Sequence, residues 1–393
     1  MISLPPAERC RLSGEPLNKA EVLFELPECP LPGIYPSDAA EAEKLRSPLR
    51  VVQAPGSRLV QLGHVFDASL YTQYAFAGGV AGAYRRHLEW LADKIARRFS
   101  PEASVLEVGC GDGWLLRRLR ERGYGDVLGI DPSRAASQQA SDWLLSGYFP
   151  DDLPAVERDR RRDLVVCRHV LEHIENPLPF MRALAGSLKP DGEVWIEVPD
   201  LDSTVDREIW SNFYQLHCSY FSAASLDHLA AAAGLRCIGG TVVEVFGGSL
   251  LRRYVLGEPS KLPPPLLLAG LGEKIRNYRE RLDQLAHRLP SRAVGYGAAE
   301  RTAVVMGFAP RFRETLACLH DGNPLLEDRY LAGTSLVIRS KEALFAQPPP
   351  AIVLFAISNV TEILQEWKSR LNGSVMVGIA GGDFAFKELA AFS

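Results

Sequence analysis

The ten residues Val105-Leu-Glu-Val-Gly-Cys-Gly-Asp-Gly-Trp114 constrain this chain more than any other stretch. An apolar run ends in glycines at alternate positions, Gly109, Gly111 and Gly113. A helical pattern follows at once, with Leu115, Leu116 and Leu119 on one face and Arg117, Arg118 and Arg120 on the other. Asp126-Val-Leu-Gly-Ile-Asp131 then reads as a second strand. Strand, glycine turn, helix and strand form the opening step of a doubly wound α/β sheet, which takes its ligand over the carboxyl ends of the strands. Glycine lets the backbone come close to that ligand because no Cβ intervenes.

The ligand follows from the charges around the turn. A dinucleotide site has G-x-G-x-x-G and presents a helix N-terminus to a pyrophosphate. Here the third glycine comes one residue early, Glu107 precedes the first, and Asp112 lies inside the loop. Carboxylates oppose phosphate and suit a ligand carrying an amino group and a sulfonium, namely S-adenosylmethionine. Asp131 is placed to accept hydrogen bonds from ribose hydroxyls. The pattern resembles motif I of the class I methyltransferases; a purely structural turn or an NAD site is the alternative.

The rest of the composition fits such an enzyme. A chain of 393 residues is expected to form two or three domains. An apolar fraction of 47% with 23% charged residues is that of a globular protein, and a net charge of −4 implies no general affinity for nucleic acid. The N-terminus lacks the apolar core of a signal peptide, and no apolar run reaches the roughly 18 residues of a membrane span. Seven cysteines without a C-x-x-C pair fit reduced thiols in the cytoplasm.

Read in order, residues 1–75 are proline-rich, with strands expected at Val22–Leu26, Leu49–Gln53 and Leu59–Leu62. This small β-rich unit has too little core to stand alone. Helical spacing runs from Val80 to Phe99. Residues 76–258 hold the nucleotide-binding sheet, with further strands at Asp163–Cys167 and Glu193–Val198 and a helix over Phe180–Leu188, stopped by Lys189-Pro-Asp-Gly192. The basic run Arg158–Arg162 reads as a solvated surface patch. Residues 259–393 begin with a proline-rich linker and a helix to Leu289. Strands at Ala293–Tyr296, Cys318–Asp321 and Ala351–Ala356, alternating with helices, then indicate a second small α/β unit.

Four further segments resemble the three-domain sugar C-methyltransferases of bacterial secondary metabolism, which act on nucleotide-linked 4-keto-deoxysugars. Tyr214-Gln-Leu-His-Cys-Ser-Tyr-Phe-Ser222 is similar to the family's Y-H-E-H-L-S-Y-F-S, and Phe246-Gly-Gly-Ser-Leu250 to its H-G-G-S-L. Gly295-Tyr-Gly-Ala-Ala-Glu-Arg301 is similar to G-Y-G-A-x-x-K. The last segment comprises Asp321–Leu325 and Tyr330–Thr334, with Ser358-Asn359 beyond it. The resemblance implies an α/β fold of class I type with a degenerate zinc-binding-type N-terminal domain and a C-terminal substrate domain.

The departures are as informative. Of the family's two zinc-binding C-x-x-C pairs, Cys10-Arg-Leu-Ser13 keeps one cysteine and Ala54-Pro-Gly-Ser57 none. A single thiolate cannot close a tetrahedral site, so no metal is expected unless Cys29 contributes. The N-terminal unit is expected to be held by contacts with the methyltransferase core instead. In the family's H-E-H, Gln215 and Leu216 replace the first two residues and His217 remains. Tyr71-Thr-Gln-Tyr-Ala-Phe76 resembles a substrate-side Y-x-Y with Phe76 in place of its second tyrosine.

The resemblance therefore makes His217 the base, with Tyr214, Tyr220 or a backbone carbonyl orienting it. Tyr74 is expected to close over the methyl donor, whose positive charge an aromatic face attracts. His169 and His173 lie in the loop that lines the cofactor pocket, and Arg168 faces either the cofactor carboxylate or solvent. The expected activity is methyl transfer from S-adenosylmethionine to carbon in a small molecule, leaving S-adenosylhomocysteine, with no nucleic-acid or membrane partner. Transfer to oxygen or nitrogen, or a scaffold that has lost catalysis, is the alternative.

Overall fold

The computed structural model describes residues 2–65, 82–258, 261–357, 360–381 and 384–392. Tyr71, Tyr74, Phe76, Ser358 and Asn359 lie outside the described residues. Three sheets organise the chain. The first is antiparallel and contains β1 (Glu21–Pro30), β2 (Arg46–Gln53) and β3 (Val60–Leu62). Its fourth strand, β9 (Ser219–Tyr220), arrives from far along the chain and pairs with β3 through Val60–Tyr220 and Gln61–Ser219.

The second sheet is the doubly wound one, ordered β10-β11-β8-β7-β4-β5-β6. Five strands are parallel: β4 (Val105–Val108), β5 (Val127–Asp131), β6 (Leu144–Ser146), β7 (Arg162–Arg168) and β8 (Leu188–Pro199). The hairpin of β10 (Leu235–Val243) and β11 (Ser249–Leu256) closes one edge antiparallel. The fully buried run Leu164-Val-Val-Cys167 is the continuous apolar strand expected of a sheet covered on both faces. The helix before β8 spans Pro177–Gly186. Leu188 already belongs to the strand, so the proline and glycine beyond it lie in β8 and do not end the helix.

The third sheet runs β14-β13-β12-β15-β16-β17. β12 (Val294–Tyr296), β13 (Leu319–Asp321), β14 (Ile338–Ser340), β15 (Ala351–Leu354) and β16 (Met376–Ile379) are parallel, and β17 (Phe386–Glu388) is antiparallel. Among the described residues no helix is long and apolar enough to cross a membrane.

The basic run corrects the sequence reading at one position. Arg162 is buried, 1% exposed, with Asp126 and Glu157 as its ion-pair partners. Two carboxylates draw this arginine out of the solvated patch, because a buried guanidinium needs such partners.

The N-terminal sheet shares its core with both other units. Cys10, Ala54 and Leu59 pack into the cluster beneath the second sheet. Leu23, Phe24, Leu26, Leu49 and Val51 pack instead with the helices Leu271–His287 and Glu300–Phe308. Phe24 meets Phe213 edge-on at 5.4 Å and Phe308 at 5.8 Å. Support thus comes from the C-terminal region as well as from the expected methyltransferase core.

The two turns aligned with the family's zinc knuckles lie together, Cys10 Sγ being 3.1 Å from Ser57 Oγ. A carboxylate links them. Glu15 Oε1 accepts from Ser57 N–H at 2.8 Å and from the Ser13 hydroxyl at 3.0 Å, and Oε2 accepts from Gly56 N–H at 2.9 Å. Cys29 lies elsewhere, with its sulfur against Gly307 of the helix Glu300–Phe308. Burial pushes its thiol up to about 12.

Burial acts to raise the Glu15 carboxyl, but the hydrogen bonds from Ser57, Ser13 and Gly56 hold it below its ordinary 4.5. A depressed acid contributes stability above its unfolded value and loses it as pH falls through the folded one. Amide protection at Gly56 and Ser57 should therefore fade on acidification below about 4.5 while the second sheet stays protected. At neutral pH, Glu15→Ala should remove the same protection. Hydrogen exchange showing both amides unchanged in the variant would refute the clasp.

Candidate active site

In the second sheet the strand order reverses at β4, which lies between β5 and β7. The loops that follow β4 and β7 therefore diverge and leave a crevice at the carboxyl ends of these strands. The glycine turn forms one wall. Gly109 and Gly113 have φ of 77° and 74°, and a Cβ there would meet Val170 Cγ2 at 2.0 Å and Leu144 Cδ1 at 2.3 Å. At these two positions the fold leaves no room for a side chain. Gly111, at φ 55°, has nothing within 4 Å of a built Cβ, so it is the position with room for a ligand.

Asp131 ends β5 and ties the turn down. Its Oδ2 accepts from Gly111 N–H at 2.9 Å and its Oδ1 from Ser133 N–H at 2.7 Å. Each carboxylate oxygen keeps a further lone pair. Asp112 turns away from the crevice: Oδ1 accepts from Trp114 N–H at 3.1 Å and Oδ2 lies 3.2 Å from Arg117. The carboxylate expected to bias the loop against phosphate is thus already paired.

Glu107 and Arg168 form an ion pair inside the sheet. Glu107 is 0% exposed, and its Oε1 accepts from Arg168 Nη2 at 2.5 Å. Arg168 Nη1 donates to the Tyr84 hydroxyl at 2.8 Å, from the helix Gly82–Arg98. Burial lifts the Glu107 carboxyl above its usual range, opposed by Arg168. Glu107 Oε2 is buried with no hydrogen-bond partner among the described residues, as a group awaiting a ligand donor would be. Arg168 is 6% exposed, which rules out the solvent-facing alternative.

A second buried cluster lies beside the first. Glu197 of β8 is 0% exposed and has His87 Nε2 at 2.9 Å and His169 Nε2 at 3.3 Å. His169 Nδ1 lies 3.4 Å from Glu172. Burial opposes charge on His169, but the two carboxylates raise its ring to about 9. The same contacts hold Glu197 well below the usual carboxylate range against the effect of burial. His169 has φ 52° and Phe246 has φ 53°, unusual for such side chains, and their rings meet at 5.2 Å. Strained residues of this kind gather at functional sites. Phe246 also packs on Tyr84, and its carbonyl accepts from Arg301, so two segments separated in sequence come together here.

His217 lies at the end of this wall, 5% exposed. Its ring is 4.0 Å from that of Tyr214 and 4.8 Å from that of His173, centroid to centroid. Burial, followed by the nearby His173 and His169, lowers its pKa well below 6.5, so the ring is neutral at ordinary pH. Tyr220 does not orient it by a hydrogen bond; its hydroxyl donates to Tyr214 O at 3.1 Å and closes the segment on itself.

The residues that break the family's H-E-H point away from His217. Gln215 donates to Ser47 Oγ at 3.2 Å, and Leu216 packs with Leu4, Leu31, Ile34 and Ala332. The carboxylate beside His217 comes from elsewhere. Ligand atoms of Glu172, His173 and His217 lie within 4.8 Å of one another. Sequence reasoning passed over Glu172, Glu197 and His87, and the visible signal was the Glu172-His173 pair at the end of the post-strand loop.

A methyltransferase domain family matches residues 83–239, and a C-methyltransferase C-terminal domain family matches residues 264–378. The chain is 26% identical over 396 residues to C-methyltransferase NovU of Streptomyces niveus, covering 93% of each chain. It is 31% identical over 157 residues to the ubiquinone biosynthesis O-methyltransferase of Nitrosomonas europaea, covering 34% of this chain and 64% of that one. The crystal structure of magnesium protoporphyrin IX methyltransferase from Synechocystis PCC 6803 with bound SAH aligns with 49% of this chain and 100% of its own, at TM-score 0.37 and 16% identity.

The geometry separates the glycines by experiment. Gly111→Val fills the open position, so S-adenosylmethionine binding should be lost while the fold is kept, apart from strain at the turn. Asp131→Ala should weaken binding by about 2 kcal/mol, roughly thirtyfold, as expected for hydrogen bonds to a charged group. Titration calorimetry reads both, and tight NAD binding with none for S-adenosylmethionine would overturn the assignment.

Proposed function

We propose, since this chain belongs to the S-adenosylmethionine-dependent C-methyltransferases, that its acceptor is a nucleotide-linked keto-deoxysugar or a related secondary metabolite. The methyl group goes to a carbon beside the acceptor's carbonyl. The observation that carries this reading is His217: a buried, neutral imidazole packed against the rings of Tyr214 and His173. A C–H beside a ketone is a weak acid, so carbon methylation needs a positioned base, whereas many oxygen and nitrogen acceptors do not.

S-adenosylmethionine, when bound, supplies a methyl group on a positively charged sulfur. The chain's own residues do the rest. Gly111 and Asp131 shape the cofactor site, with Glu107, Gly109, Asp112, Gly113 and Arg168 fixing the turn and the buried charge behind it. His217 takes the proton from the acceptor carbon, and the electron pair left behind makes that carbon the nucleophile for the methyl group, whose bond to sulfur would break with its electron pair going to S-adenosylhomocysteine. Tyr214, tilted against the ring, and His173, edge-on to it, hold the plane of His217. Tyr74 is proposed to close over the methyl donor. Positioning of donor and acceptor accounts for much of the rate in such displacements. The free cysteines agree with a cytoplasmic setting.

His217→Asn should lower turnover by roughly 10²–10⁴-fold, the usual contribution of a general base, with cofactor affinity nearly unchanged. In deuterated water, with a non-reactive cofactor analogue bound, the wild type should exchange label into the acceptor carbon and the variant should not. Full activity of the variant would remove His217 as base. A product methylated on oxygen or nitrogen would defeat the carbon-acceptor reading.

A further inference from the structure

Glu172 and His173 are adjacent on the short turn Leu171–His173, and His217 reaches them from the segment hung on β9. Glu172 and His217 are 2% and 5% exposed. Glu172 Oε2 and His217 Nδ1 are both buried without a hydrogen-bond partner among the described residues. Two such atoms on residues of one buried cluster are costly unless something bridges them. His173 is prepared in a different way. Its Nδ1 lies 2.7 Å from the Leu216 carbonyl and must carry the proton to bond it, so the neutral ring has its lone pair on Nε2. Metal-binding histidines are oriented by this kind of second contact.

Two imidazoles and one carboxylate are a donor set for borderline divalent ions such as Zn²⁺ and Co²⁺, with an open position for a further ligand. We propose that Glu172, His173 and His217 form a binding site for such an ion. Around an ion with bonds of about 2.1 Å the donors sit roughly 3.4 Å apart, so a cluster spanning 4.8 Å has to contract by about 1.4 Å. His217 lies on a separate segment from the other two and can supply that movement.

The site departs from the expectation of no metal and owes nothing to Cys10. It also sets metal against catalysis. A lone pair given to an ion cannot accept a proton, so occupancy inhibits methyl transfer. This second step rests on the reading of His217 as base; the binding site itself does not.

The test uses the full chain without an affinity tag, stripped with a chelator and titrated with Co²⁺. One equivalent should develop the visible absorption of low-coordinate cobalt, and Zn²⁺ should displace it. Glu172→Gln and His173→Asn should each weaken binding at least about tenfold, with circular dichroism and S-adenosylmethionine affinity checking the fold. Cys10→Ser should leave the band intact. No band in the wild type, or a band that survives both variants, overturns the site. For the second step, Zn²⁺ should inhibit methyl transfer, a chelator should restore it, and Glu172→Gln should require at least about tenfold more zinc. Cobalt bound with transfer undiminished leaves the metal site standing and overturns the inhibition, and with it His217 as base.

Discussion

Two carboxylates buried beneath the crevice set the terms for everything above them. Glu107 on β4 and Glu197 on β8 are both fully enclosed, separated by β7. A buried charge whose partner is removed costs roughly 3–5 kcal/mol, so the fold has to bring cations to these positions. Arg168 and His169 at the end of β7 do so, one toward each carboxylate. Tyr84 and His87 of the helix Gly82–Arg98 complete the two clusters. The pairing locks that helix over the sheet and turns the chain after β7 sharply, with His169 held at positive φ. Glu172 and His173 are aimed by that turn, and so is the wall that meets the glycine loop at Val170.

A second constraint is that the N-terminal sheet cannot form a core by itself. It closes on other parts of the molecule from both sides, and one of its strands is borrowed. The pairing of β3 with β9 anchors Tyr214–Ser222, so the segment carrying His217 hangs between the first sheet and the second. Gln215 and Leu216 face into the N-terminal unit, and His217 packs against Tyr214 and His173. The small unit thus has a physical role in the fold: it holds the segment that carries His217 in place. The Glu15 clasp keeps its two turns together through backbone donors, which any sequence supplies, where a metal would need thiolates.

The C-terminal unit contributes in the same manner. Arg301, at the start of the helix Glu300–Phe308, bonds the carbonyl of Phe246, and Gly247 leaves space beside the guanidinium. This places the third sheet's glycine-rich loop near the strained Phe246–His169 contact.

The glycine turn, the alternating strands and helices and the continuous apolar run of β7 were legible in the sequence. They depend on local rules: backbone freedom at glycine, periodicity, and burial of a parallel strand on both faces. Asp131 was legible as the end of a strand, and His217 through resemblance. What the residues of the loops do was decided only by tertiary structure. Asp112 turned to Arg117, Arg162 left the surface for two acids, and Glu107 found Arg168 rather than open solvent. Glu172 came to lie beside His217, 45 residues away in the chain, because the β3–β9 pairing and the turn after β7 converge there. Local patterns fix which backbone forms, since they act over a few residues. Charge partners are chosen by proximity after folding, and no spacing in the sequence encodes it.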